Sequence, residues 1–337
     1  MKNIVNGDLK IKPGFCCLGV TNKCMLKCRM CYKWKDNIQE VYPSLGQYKK
    51  FISNLRGIAD GKFIINFGGG ETLLFEGLFD LIKFSIKKDF LTNTISNGWL
   101  IDEEMAMRIA DSGLHGINLS LDSLNEDTHD YLRGVKGSYR RVMNAIDYLN
   151  KYCKNTKVGI CCVIYDWNLD ELLSLTGWVI SNDMLSSIIF MAPMQPNSTG
   201  VGNEWWKGEY GFLWPKDINK ACFFIEEVLK FKVNFPHKIG NTVAQLEAFK
   251  LYLRSPAKFV KKGKCNLDRA VHVSADGYLF LCFRWGALGN IKNGDDIREL
   301  WQSIKAKDVR QNIAKCKNNC HFLLNCFFEK DYPFGLS

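Results

Sequence analysis

From Gly14 to about Met191 the sequence alternates short runs rich in β-branched and aromatic residues with longer segments of helical period. This alternation restricts the chain to βα units around a parallel sheet, because consecutive parallel strands need a crossover long enough to hold a helix. Six strands are expected: Phe15 to Val20, Phe63 to Phe67, Leu91 to Ser96, Gly116 to Leu121, Lys157 to Tyr165 and Ser187 to Met191. Helices are expected over Leu45 to Ala59, Leu78 to Lys88, Asp102 to Ser112, Tyr139 to Tyr152 and Leu169 to Ile180, with Asp102 and Ser138 as N-caps. The pattern stops after the sixth strand, so the expected α/β fold is a partial (β/α)6 barrel, not a closed eight-stranded one.

Residues 192 to 215, rich in Pro, Asn, Gly and Trp, read as an irregular connection, and Trp205, Trp206 and Trp214 there would either border a substrate cavity or pack at a junction. Lys216 to Leu253 reads as two helices interrupted at Pro236 to Gly240. A boundary near Ser255 and Pro256 divides the chain into residues 1–255 and a small cysteine-rich α+β domain over 256–337. In the latter a hairpin is expected, Ala270 to Ser274 and Tyr278 to Phe283 joined through Ala275, Asp276 and Gly277, then a helix from Asp296 to Ser303.

The chain contains fourteen cysteines. They would staple a small secreted protein, but 337 residues at 47% hydrophobic content build their own core, and MKNIVNGDLKIKPGF has neither the apolar core nor the cleavage site of a secretory signal. Apolar runs such as Val158 to Tyr165 fall short of the roughly 20 residues a membrane span needs. A cytoplasmic protein whose cysteines ligate metal is therefore expected. The net charge of +10 is spread along the chain, with only short clusters such as Lys261, Lys262 and Lys264 and no basic stripe interleaved with aromatics, so nucleic acid is not an expected partner.

Cys24, Cys28 and Cys31 form a CxxxCxxC triplet directly after the first strand, at the loop end where parallel α/β folds place their active sites. Three thiolates bind three irons of a cubane and leave the fourth open to substrate; a structural zinc site, the alternative, would need a fourth ligand at similar spacing. After the second strand comes Gly68-Gly69-Gly70-Glu71-Thr72, where missing side chains would let a ligand approach the backbone and Glu71 would accept from a cation. Together these motifs resemble the radical SAM superfamily, in which the open iron chelates the amino and carboxylate groups of S-adenosylmethionine (SAM). Met30 stands where the family often has an aromatic residue and would pack on the adenine; Thr72 stands where proline is common. The resemblance further implies that Glu71 receives the SAM ammonium, that Asn97, Ser120 and Asp122 line the ribose and methionine, and that Arg133 pairs with the SAM carboxylate.

Cys265 and Cys282 flank the hairpin turn at Gly277, and Cys316, Cys320 and Cys326 follow at CxxxC and CxxxxxC spacing, with Lys330 near where another thiol would stand. This set resembles the carboxy-terminal extension of the SPASM and twitch subgroups, and it implies one auxiliary [4Fe–4S] cluster held by Cys265, Cys282 and two of Cys316, Cys320 and Cys326. A zinc ribbon is the alternative. Cys222 is a candidate hydrogen-atom donor to a substrate radical, as in radical peptide epimerases.

By resemblance, the reduced first cluster cleaves SAM to a 5′-deoxyadenosyl radical that abstracts hydrogen from a substrate. Modification of a peptide or protein side chain leads, by maturation, crosslinking or epimerisation. Radical dehydrogenation or rearrangement of a small molecule is the alternative, and a non-catalytic iron–sulfur electron carrier the reading from another class. The expected partners are the substrate, a low-potential electron donor such as flavodoxin or ferredoxin and, since the barrel begins near residue 14, a separate peptide-recognition protein.

Overall fold

The computed structural model describes residues 11–35, 41–196, 199, 204–260 and 265–326. Lys261, Lys262, Lys264 and Lys330 lie outside them. Six parallel strands, β1 (Phe15–Thr21), β2 (Phe63–Gly69), β3 (Phe90–Ser96), β4 (Gly116–Ser120), β5 (Lys157–Val163) and β6 (Ser187–Met191), are laid side by side in chain order. They coincide with the six expected runs to within two residues at each end.

Each strand turns alternate side chains to opposite faces. Cys16, Leu18, Ile65, Leu119, Ile160, Cys162 and Phe190 are buried to 1% or less against the crossover helices in one continuous core. Those helices are α1 (Leu45–Arg56), α2 (Leu78–Ile86), α3 (Glu103–Ser112), α4 (Glu126–Arg133), α5 (Ser138–Tyr152) and α6 (Leu172–Ser181). The opposite positions, among them Cys17, Asn66, Asn93, Ile95, Ser120 and Met191, retain exposure, and Ile95 is 46% exposed although β3 lies in the sheet's interior. Other positions of that face, Ile64, Asn118, Cys161 and Ile189, are buried to 7–9% exposure, so the concave face is only partly open.

Helix ends follow local chemistry where the partner is near in sequence. Ser44 and Gln47 form a capping box on α1, and Asp102 Oδ1 accepts from Met105 N at 2.9 Å, as its sequence position predicts. Ser138 does not cap α5. The N-cap is Gly137, in a left-handed conformation, and Ser138 Oγ donates to Asp130 Oδ1 at 2.7 Å. Asp130 also accepts from the Tyr139 and Gly137 amides, so the cap comes from α4 through the tertiary fold.

After β6, α7 (Ile218–Asn234) and α8 (Val243–Arg254) pack on each other. The carboxy-terminal hairpin, β7 (Ala270–Val273) and β8 (Tyr278–Phe280), turns at Gly277 (φ 90°). β7 pairs in parallel with β1, and a short β9 (Gly289–Asn290) follows β8, giving a nine-stranded sheet in the order β6-β5-β4-β3-β2-β1-β7-β8-β9. The expected helix is α9 (Ile297–Gln302); α10 (Ile304–Lys315) and α11 (His321–Asn325) were not legible in the sequence. Asn325 at the end of α11 makes two hydrogen bonds to Ala192 just beyond β6, at 2.7 and 3.1 Å. The carboxy-terminal segment thus pairs with β1 and fastens to the chain leaving β6, across the open side of the barrel.

Candidate active site

The loop after β1 carries Cys24, Cys28 and Cys31 and is clamped from both sides. On one side Gly70 N donates to Thr21 O (2.7 Å) and Glu71 N to Lys23 O (2.8 Å). On the other Arg29 N donates to Leu132 O (3.0 Å), and the Arg29 guanidinium lies 3.7 Å from the centre of the Tyr131 ring. A Cβ on Gly70 would stand 2.6 Å from Asn22 O and 2.7 Å from Lys23 C, and Gly69 has φ 136°. These two glycines therefore admit the cysteine loop's backbone.

The three thiols share a pocket of about 130 Å³ with Met30, Gly69, Gly70, Glu71, Asn97, Ser120 and Arg133. Of the residues the sequence nominated for SAM, Gly68 and Asp122 do not line this pocket. Gly68 faces Cys17 Sγ, and Asp122 stands behind Arg133 with its Oδ2 2.7 Å from Arg133 Nη2. Asp122 is fully buried, accepts from Val163 N at 3.1 Å, and supplies the charge that keeps a buried guanidinium compensated.

Glu71 is 1% exposed and already oriented: Oε1 accepts from Ser96 Oγ (2.9 Å) and Leu73 N (3.3 Å), Oε2 from Asn97 N (2.8 Å). Burial raises its carboxyl above the ordinary value, and these three donors oppose the rise. Asn97 Nδ2 reaches Met25 Sδ at 3.4 Å and Cys24 Sγ at 3.7 Å. Burial also pushes the Cys28 thiol up to about 11, with Arg133 working the other way; a bound iron would reverse this by deprotonating the ligand. Trp34, unremarked in the sequence, also lines the pocket, and its buried Nε1 has no hydrogen-bond partner among the described residues. Three thiols on one wall, an oriented carboxylate and an unsatisfied donor fit a cluster with a polar ligand beside it.

A second cavity of about 380 Å³ is lined by Cys265, Cys282, Cys316 and Cys320, with Arg284 and His321. Cys326 is absent from its wall. Burial pushes the Cys326 thiol up, and the neighbours that add to the rise are Cys17, Cys320 and Cys161, so it stands between this cavity and the barrel interior. Among the described residues no three His, Cys, Asp or Glu side chains converge closely enough to share one metal ion. A zinc ribbon gathers its thiolates on a single ion at about 2.3 Å, whereas thiols spread around a cavity suit the corners of a multi-iron cluster.

Cys222, on α7, is 1% exposed with Sγ 3.9 Å from Lys250 O, and it lines neither cavity. The irregular connection after β6 supplies what sequence left open. Trp205 is buried in a cluster with Leu26, Cys28, Met30, Leu132 and Tyr165, Trp214 stacks edge-on to it at 5.7 Å, and Tyr210 meets Tyr32 at 5.6 Å. The aromatic segment covers the cysteine loop and excludes water from one side of it. No helix among the described residues is long and apolar enough to cross a membrane.

Residues 18–179 match the model of the radical SAM superfamily, and residues 265–327 match that of an iron-sulfur cluster-binding domain, SPASM. The chain is 30% identical over 154 residues to the Fe-coproporphyrin III synthase of Methanosarcina barkeri (strain Fusaro / DSM 804), covering 45% of this chain and 37% of that protein. It is 30% identical over 171 residues to the sporulation killing factor maturation protein SkfB of Bacillus subtilis (strain 168), covering 50% and 40%. In both cases well under half of the relative's length is spanned. Streptococcus suis SuiB bound to precursor peptide SuiA shares the fold, with a TM-score of 0.68 at 15% identity over 96% of this chain and 74% of that one. The chain belongs to the radical SAM superfamily: it is a radical SAM enzyme with a carboxy-terminal SPASM domain, and the two domains imply [4Fe–4S] clusters and SAM as its cofactors.

Proposed function

We propose that this enzyme modifies a peptide, with residues 1–255 performing the SAM chemistry and 256–337 holding one auxiliary cluster. The observation that carries the reading is the charge of the concave face. At the inner positions of β1 to β6 the only ionisable side chains besides the thiols of Cys17 and Cys161 are those of Lys157, exposed at the entry to β5. An iron coproporphyrin carries several carboxylates, whose burial requires cationic partners. A neutral stretch of peptide requires none. The names of SkfB, a maturation protein, and of SuiB bound to a precursor peptide agree with this reading.

When bound, a cluster at Cys24, Cys28 and Cys31 supplies the electron that cleaves SAM, and the resulting 5′-deoxyadenosyl radical takes a hydrogen atom from the substrate. The chain's own residues bind and orient. Glu71, fixed by Ser96 and Asn97, accepts from the SAM ammonium; Arg133, held by Asp122, faces its carboxylate; Met30 borders the adenine and Ser120 the ribose. Cys265, Cys282, Cys316 and Cys320 provide a thiolate for every corner of the auxiliary cluster, which fits an electron carrier better than a substrate-binding centre. A flavodoxin or ferredoxin supplies low-potential electrons, and a separate recognition protein presents the peptide.

The test is turnover of anaerobically reconstituted enzyme with SAM, dithionite and synthetic peptides encoded beside the gene, each deuterated at Cα and Cβ. Deuterium in 5′-deoxyadenosine is the expected result. Transfer from a deuterated tetrapyrrole, with none from any peptide, would establish the small-molecule alternative instead.

A further inference from the structure

Two side-chain amides stand on the concave face below the SAM pocket, and the sheet is built around them. Asn93 of β3 pairs in register with Gly116 of β4, and Asn118 of β4 with Gly159 of β5. In both pairs the asparagine's Oδ1 occupies the space a Cβ on the glycine would take; at Gly116 that Cβ would stand 2.6 Å from Asn93 Oδ1. Neither amide can swing across the neighbouring strand unless that strand carries glycine. Asn66 of β2 completes the row, accepting from Asn93 Nδ2 at 3.1 Å.

The row keeps hydrogen-bonding capacity in reserve. Asn118 is 8% exposed, yet no side-chain hydrogen bond joins its amide to any described residue; Asn93 Oδ1 likewise accepts none. Both amides therefore keep donor and acceptor capacity that a ligand in the cleft can take up. Asn118 stands two residues before the pocket residue Ser120, about 7 Å along the strand, and Ile95, beside Asn118 in the pairing of β3 with β4, lines the pocket itself. A group bound to the row therefore lies next to the SAM site.

We infer that Asn93 and Asn118 are specificity-determining residues that bind the backbone amides of the substrate. A primary amide offers donor and acceptor together without charge, as a peptide group does, whereas a carboxylate or phosphate accepts from its NH2 and leaves its oxygen unpaired. Apart from Lys157 at the entry to β5 and the thiols, the inner strand positions are uncharged, which points to the same occupant. The inference rests on the proposed peptide substrate and adds which groups recognise it.

The probe is N-acetyl-Gly-Ala-Gly-amide, titrated into SAM-loaded holoenzyme and followed by saturation-transfer NMR, with triglutamate as the anionic comparison. The wild type is expected to bind the capped peptide in preference to triglutamate. Asn118→Leu and Asn93→Leu should each weaken it about tenfold, Asn118→Asp should do so with almost no change of shape, and iron content at the wild-type level certifies that each variant is folded. Equal affinity in wild type and Asn118→Asp, or no binding by the wild type, overturns the inference. Should this happen while gene-adjacent peptides still pass deuterium to 5′-deoxyadenosine, the peptide reading stands without the amide row. If only the deuterated tetrapyrrole passes deuterium, the peptide reading itself has failed.

Discussion

Replacing Gly70 by alanine tests whether the glycine run exists to seat the cysteine loop. The new Cβ would press on Lys23 O, lie 2.6 Å from Asn22 O and 2.7 Å from Lys23 C, all of them backbone atoms that cannot rotate away. The loop must move by about 1 Å, an overpacking cost of about 1–3 kcal/mol. That movement also strains the bonds from Gly70 N to Thr21 O and from Glu71 N to Lys23 O, each contributing about 1 kcal/mol. The total, about 3–5 kcal/mol, falls on the segment carrying three cluster ligands, and a misplacement of about 1 Å near the reacting atoms costs about 100-fold in rate. Gly70→Ala should therefore lose about four irons per chain, or keep them and form 5′-deoxyadenosine at least 30-fold more slowly, while the auxiliary iron remains. Gly177→Ala on α6 is the control. A Cβ there meets nothing within 4 Å, and the change should stabilise the protein by about 0.5–1 kcal/mol. A Gly70→Ala enzyme with full iron and wild-type SAM cleavage would refute the reasoning.

Two further predictions concern the thiols and the histidines. Cys320→Ala should lower iron from about eight to about four per chain, whereas Cys326→Ala, outside the cavity wall, should leave it at about eight; equal losses would place Cys326 among the ligands. Burial, with Arg133 beside it, holds His129 down at about 3, and burial holds His272 down at about 4, against about 6.5 in the unfolded chain. Between these values the unfolded state binds the protons and the folded state does not, so stability is complete above pH 6.5 and lost as pH falls toward 4. At pH 5 each histidine accounts for about 2 kcal/mol. The urea midpoint should drop between pH 7.5 and pH 5 and drop less in His129→Gln; equal drops would show that His129 is not responsible.

The strands and the cysteine triplet were legible because their signals are short-range. Period-two alternation and glycine or proline punctuation fix β1 to β6 locally, and CxxxCxxC lies within eight residues. The misses involve long-range partners. Asp130 rather than Ser138 caps α5 because the fold brings the end of α4 to its amino terminus. Polar α10, with lysines and arginine on several sides, shows little helical stripe, and its placement depends on Arg310 reaching Asp268 O at 3.0 Å and Trp301 O at 2.9 Å.

By itself the sequence determined the βα order, the thiols available to each metal centre and the neutrality of alternate strand positions, since periodicity, spacing and residue type are properties of the unfolded chain. Only the tertiary structure decided that Cys326 stands apart from the other four carboxy-terminal cysteines, that Gly70 holds the cysteine loop, and that Asn93 and Asn118 lean over glycines of adjacent strands. Each depends on the distance between residues on different elements, which is fixed when the sheet curves and its register is set.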